Sequence, residues 1–318
     1  METDQRSFSD IPEDAAIDGY SPSFVDVDGV STRYYDVGDG EPLVLIHGGT
    51  WKGYASANTW TKTFEGLKDD FRVIAFDRIG CGLTDNPENP EDFVYETDIS
   101  HGFGFLDALD IDECHMAGWS RGGGMVSRMA VEQPDRVKSL IINNSATLGP
   151  PVNDGGYVRS RLFQFESDPD MDPKDPEYTR KYYEQYSHNT DYITDHRCRT
   201  TAYMQSQPKF EESEEVLANQ KEGEAWADTI KEHMRVVHTR IKEGVLDEIP
   251  VLYMFGKNDL TVPVEMATAA YGMIAANNPN ARMKVINKCG HMAFMEHPDE
   301  WSYSVSNFIN WQKSQGNY

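Results

Sequence analysis

The sequence predicts an α/β chain, a mostly parallel central sheet with helices on both faces, carrying one inserted helical segment. Three observations lead there. Short, wholly apolar runs alternate with amphipathic stretches from residue 42 onward, the rhythm of strands crossed over by helices. One apolar run ends in a crowd of glycines, "CHMAGWSRGGGM" (114–125), which places a strand directly against a helix. The rhythm stops after Pro150-Pro151 and resumes at Ile249.

The elements follow in order. "SFVDVDGVSTRYYDVG" alternates apolar and polar residues about Asp28-Gly29, a hairpin with a type I′ turn. "PLVLIHGG" is too short for a helix and is bounded by Pro42 and Gly48, so it reads as a strand buried on both faces. "FRVIAFD" (71–77), "DECHMAG" (112–118), "VKSLIIN" (137–143), "PVLYMFG" (250–256) and "ARMKVIN" (281–287) repeat the pattern. Helices are expected from about Asp98 to Leu109 and from Arg121 to Gln133, where Met125, Val126, Met129 and Ala130 share a face and Pro134 ends the run. The division is therefore an acidic, loosely held N-terminus (1–20), an α/β core (21–148 and 248–318) and a helical insertion over 149–247. The insertion's aromatics, Tyr157, Phe163, Phe165, Tyr182, Tyr183, Tyr203 and Trp226, are candidates for a pocket wall or for its own small core.

With 318 residues the chain has ample core. Its 53 acids against 29 bases give a net charge of −24, which repels nucleic acid and anionic membrane. Screening in a salty habitat and a plain surplus of solubilising charge are both adequate reasons for it. No apolar run reaches the roughly 18 residues of a membrane span, and the polar N-terminus lacks the features of a signal peptide. Four scattered cysteines, Cys81, Cys114, Cys198 and Cys289, form no zinc or redox motif and suit reduced thiols in the cytoplasm. No metal and no cofactor are expected. The partner is a small-molecule substrate, and a homo-oligomer stays open.

The chemistry centres on Ser120. Gly118-Trp119-Ser120-Arg121-Gly122 is G-x-S-x-G between a buried strand and a helix, a turn so tight that small residues must flank a serine pushed out above the sheet. Such a serine needs a base and an acid that orients it. Asp259, just past one buried strand, and His291, just past the last, follow in the required order. A turn acid and a helix-start histidine would be the bland readings of each alone. Two backbone donors should hold the oxyanion that forms on the attacked carbonyl: the N–H of Arg121, and one from the His47-Gly48-Gly49 loop.

Together these residues resemble the α/β-hydrolase superfamily over nearly the whole chain outside the insertion. The stretches "HGGTWKGYASANTW", "LDALDIDECHMAGWSRGG" and "NKCGHMAFMEHPDEW" are similar to the meta-cleavage-product hydrolases, which split a carbon–carbon bond in vinylogous 1,5-diketones. That resemblance implies an oxyanion N–H from Gly49 and a substrate contact from Asn58, which a helix cap would also explain. It implies an insertion arginine at the substrate's anionic end, for which Arg199, beside Arg197, is the candidate. Two positions depart from the pattern: Trp119 stands where the family has asparagine, and Met292 where it has tryptophan. Both are expected at the substrate pocket, with strand–helix packing as the alternative for Trp119. The functions that follow are a C–C hydrolase, a carboxylic ester or lactone hydrolase on the same residues, and a catalytically silent ligand-binding member of the fold.

Overall fold

The structure is a computed structural model. It describes residues 15–49, 55–149, 171–219 and 224–318, with the backbone alone for 224–228. The expected hairpin is β1 (Ser23–Val27) and β2 (Val30–Val37), and both turn residues take positive φ, 51° at Asp28 and 89° at Gly29, as a type I′ turn requires. The six apolar runs become β3 (Glu41–Ile46), β4 (Phe71–Phe76), β5 (Cys114–Trp119), β6 (Val137–Asn143), β7 (Val251–Gly256) and β8 (Ala281–Ile286).

These eight strands form one sheet in the order β1-β2-β4-β3-β5-β6-β7-β8. All pairs from β4 to β8 are parallel, and β2 runs against both its neighbours. The chain leaves β3 toward β4 on one side and then crosses back to β5 on the other. A reversal of this kind marks where open α/β sheets bind ligands, at the carboxyl ends of the two strands, here β3 and β5.

Between the strands lie α1 (Thr61–Phe64), α2 (Tyr95–Ala108) and α3 (Arg121–Glu132). Among the described residues four helices, α4 (Pro176–Tyr186), α5 (Asp195–Gln205), α6 (Pro208–Asn219) and α7 (Glu224–Lys242), separate β6 from β7, and α8 (Val264–Ala275), α9 (Ala293–Glu296) and α10 (Pro298–Ser314) complete the chain. None of the described helices is long and apolar enough to cross a membrane.

Each face of the sheet carries its own apolar core, which is why the strands are apolar throughout. Val44, Ile46, Met116 and Ile142 face Met125, Met129 and Val237, whereas Leu43, Leu45, Ala117 and Ile141 face Trp60, Phe294 and Trp301. The second core also takes up Tyr183, Tyr192 and Cys198 from α4 and α5.

Polar ties bind α5 and α6 to loops of the core. Arg197 on α5 is buried; it donates to Asp18 Oδ2 at 2.6 Å and to the carbonyl oxygen of Asn58 at 2.9 Å. Lys209 Nζ on α6 donates to the carbonyl oxygens of Cys81, at 3.2 Å, and Thr84. Residues 15–20 are thus not loosely held, contrary to expectation: Ala15 and Ile17 are buried, and Asp18 anchors Arg197. Residues 1–14 of the acidic stretch lie outside the described residues.

Removing the guanidinium of Arg197 leaves Asp18 with Lys62 and Thr61 alone, and the buried Asn58 carbonyl with Thr61 alone. Because Asp18 keeps some solvent, Arg197→Ala is expected to cost about 2–3 kcal/mol, below the 3–5 typical of a fully buried pair. Urea unfolding measures it; an unchanged midpoint would show that the apolar contacts alone hold α5 down.

Candidate active site

The chain passes from β5 to α3 through a single residue. Ser120 sits at φ 54°, ψ −116°, a conformation that costs a non-glycine residue on the order of 1–3 kcal/mol. Its backbone is pinned from β6 and the loop beyond: Ser120 N donates to Asn143 O at 2.9 Å, and Ser120 O accepts from Ser145 Oγ at 2.7 Å. The flanking glycines are sterically required. A Cβ on Gly118 would lie 2.1 Å from Gly122 O, and one on Gly122 would lie 2.2 Å from Ile46 O.

Asp259 follows β7 and is nearly enclosed. Its Oδ1 accepts from Thr261 N and Thr261 Oγ1, both at 2.7 Å, and from Val262 N at 3.1 Å. Its Oδ2 accepts from Asn144 Nδ2 and faces His291 Nδ1, each at 2.7 Å. Burial by itself would push this carboxyl up; the adjacent His291 imidazole and hydrogen bonds from His291, Thr261 and Asn144 outweigh that and hold it below its ordinary 3.8. An ionised carboxylate can only accept. His291 Nδ1 therefore carries the proton, and Nε2 keeps the lone pair that a general base needs.

The backbone of His291 is fixed as firmly. Its N–H donates to Tyr186 O, at the end of α4, at 2.8 Å. Its carbonyl accepts from the indole of Trp119 at 2.8 Å. Glu296 on α9 closes the loop, accepting from Gly290 N at 2.9 Å and from His188 N and Asn189 N at 2.8 and 2.9 Å.

Past β3, Gly48 lies against the serine, since a Cβ there would meet Ser120 Cβ at 2.7 Å. Gly49 has φ +81°, in the left-handed region. His47 Nε2 accepts from Arg78 N at 3.0 Å, so Nδ1 is the donor to Gly48 O at 2.8 Å. Burial, with the positive charge of Arg78, keeps this imidazole neutral, its pKa well below 6.5.

Residues 41–298 match the profile of a family described as alpha/beta hydrolase fold. The chain belongs to that family. Among alpha/beta hydrolases it is similar to a 2-hydroxymuconate semialdehyde hydrolase of Pseudomonas sp. strain CF600, 26% identical over 290 residues, covering 88% of this chain and 91% of that one. A 2-hydroxy-6-oxo-6-(2'-aminophenyl)hexa-2,4-dienoic acid hydrolase of Metapseudomonas resinovorans is 27% identical over 302 residues, 92% of this chain and 91% of that one. A solved meta-cleavage product hydrolase of Pseudomonas fluorescens IP01 superposes with a TM-score of 0.70 at 26% identity, covering 91% of this chain and 97% of that one.

Within this alpha/beta hydrolase, Ser120, Asp259, His291 and the Gly48-Gly49 loop all lie at the carboxyl edge of the sheet. The side chains expected at the substrate make the following contacts. The Asn58 amide is engaged at both ends: Oδ1 accepts from Arg33 Nη2 and Tyr35 Oη at 2.8 and 2.7 Å, and Nδ2 donates to Ala15 O at 3.1 Å. It is not the helix cap either: Trp60 holds the cap position of α1, and Ser56 caps the short turn Ala57–Thr59 that contains Asn58. Trp119 is buried and has spent its one donor on His291. Met292 is buried, and its Sδ accepts from Tyr192 Oη at 3.4 Å. Arg199 is half-buried on α5, while Arg197 takes the deep position. Of the insertion's aromatics, Tyr183 belongs to the core, Tyr182 packs beside it, and Tyr203 is half-buried; Tyr157, Phe163, Phe165 and the Trp226 side chain lie outside the described residues.

Two outcomes test this geometry. The Asp259 carboxyl titrates near 3.9 when unfolded and lower when folded, so its stabilisation is whole above about pH 4 and is lost as pH falls through the folded value. Asp259→Asn should be less stable than the parent at pH 7, with the gap in urea midpoint narrowing below pH 4; parallel curves would contradict the depressed pKa. Trp119→Phe keeps a ring but strands the His291 carbonyl, which should cost about 1–3 kcal/mol, read as a lower thermal midpoint.

Proposed function

We propose that this alpha/beta hydrolase is a serine hydrolase in which Ser120 is the nucleophile, His291 the general base and Asp259 its orienting acid. The observation that carries the reading is the 2.7 Å Asp259–His291 contact on the same sheet edge as a serine held at φ 54°. His291 Nε2 takes the proton from Ser120 as its Oγ attacks a carbonyl carbon. The N–H groups of Gly49 and Arg121 receive the oxyanion, the latter standing in the first turn of α3 directly after the serine. Expulsion of the leaving group gives an acyl-enzyme, and water, deprotonated by His291, returns the carboxylic acid and free serine. The helices α4 to α7 belong to a cap that chooses the substrate.

The substrate class is a meta-cleavage-type vinylogous diketone, on the strength of the named activities of the relatives. In that reaction the enol is first ketonised by proton transfer in the site, and the bond that breaks is C–C, with the departing dienolate taking up a proton. A carboxylic ester hydrolase is the second reading, favoured by one observation. The side chains of Asn58 and Trp119, both expected at the substrate pocket, make their hydrogen bonds inside the protein.

Steady-state kinetics on a yellow ring-fission dienolate and on a short-chain p-nitrophenyl ester separate the two. Far higher kcat/KM on the dienolate is expected, and Ser120→Ala should lower kcat by about 10⁴-fold or more. Ester turnover alone would replace the C–C reading with the second; full turnover by Ser120→Ala would overturn both.

A further inference from the structure

Arg78 is one of the largest fully buried side chains, 1% exposed, and the mechanism above gives it no part. Its Nη2 donates to two successive carbonyl oxygens of the loop after β3, Gly48 O at 3.1 Å and Gly49 O at 2.8 Å. Its Nη1 is clamped by Asp98 Oδ2 at 2.7 Å, and Asp98 is equally buried. Reaching both carbonyls leaves Arg78 Nε and Asp98 Oδ1 buried without a hydrogen-bond partner. A buried pair of this kind adds little stability over apolar residues of the same volume. The unmet atoms make it worse as a purely structural element. Its orientation is better explained by what the fork holds.

In a trans peptide the carbonyl of one residue and the N–H of the next point in opposite directions. Arg78 Nη2 and His47 Nδ1 both donate to Gly48 O, so that carbonyl is turned toward them and the Gly49 N–H is turned the other way. Rotating this peptide would strand two buried donors at once. Gly49 at φ +81° shows that the loop takes a conformation it would not adopt by default. We propose that Arg78, clamped by Asp98, is a positioning residue for the oxyanion hole: its guanidinium holds the Gly48 and Gly49 carbonyls away from Ser120 and so aims the Gly49 N–H at the developing oxyanion. The inference rests on the serine hydrolase reading.

The test compares two ligands of one side chain, a phenethyl trifluoromethyl ketone and the corresponding trifluoromethyl alcohol. The ketone accepts Ser120 Oγ at its carbonyl carbon; the carbonyl electron pair becomes an oxyanion, and the serine proton passes to His291. The alcohol, with no carbonyl to attack, binds without an oxyanion. Arg78→Met is expected to weaken the ketone by about 100-fold, the lower range for loss of one oxyanion donor. The alcohol should change by less than about threefold, with kcat falling as the ketone affinity does and KM nearly constant. Arg78→Lys keeps the charge for Asp98 but lacks the fork that reaches Asp98 and the two carbonyls at once. It should lose about tenfold on the ketone alone, and it serves where the methionine variant does not fold. Equal losses on ketone and alcohol, or none on either, overturn the positioning role while leaving the serine hydrolase reading intact. A parent protein whose ketone affinity is unchanged in Ser120→Ala overturns that reading, and this inference with it.

Discussion

The site depends on how closely β3, β5 and α3 approach one another. At Gly118 and Gly122 the backbones come so near that a single methyl group would sit about 2 Å from a carbonyl oxygen. That approach forces Ser120 into its strained turn and lifts its side chain above the sheet. The strain is small beside the apolar surface that β5 buries on both faces. Hydrogen bonds from the neighbouring strand end hold the serine's own amide and carbonyl, so the turn is fixed by the sheet and not by the loop itself.

The acid–base pair is built by the opposite means. No backbone strain is needed, but a carboxylate must be taken out of water. Three backbone or side-chain donors on Oδ1 and two on Oδ2 replace the lost hydration of Asp259, and this keeps it ionised where burial alone would neutralise it. Thr261 serves both partners, donating to the carboxylate while its oxygen lies 2.8 Å from His291 Nδ1. The imidazole is thereby held in one tautomer and one plane.

Much of this was legible in the chain. Parallel strands buried on both faces are written as unbroken apolar runs, and Asp28-Gly29 names its turn because few residues tolerate two positive φ values in a row. The order Ser120, Asp259, His291 could be read because each follows such a run. The supporting residues could not be read. Asn144 meets Asp259 across 115 positions, and Glu296 meets His188 across 108, with no local pattern to announce either. That Arg197 and not Arg199 takes the deep position on α5 could not be read either, because two residues along a helix are about 200° of rotation and no local pattern sets the helical phase. Arg78 was hidden because the end of an apolar strand gives no sign that the next side chain turns under the neighbouring loop.

The amide of His291 is bonded to the last residue of α4, and Glu296 ties the loop after α4 to the loop that carries His291. The seat of the His291 imidazole is therefore shared with α4: displacing that helix breaks the histidine's own backbone hydrogen bond, and in the serine hydrolase proposed above it would take the general base out of line.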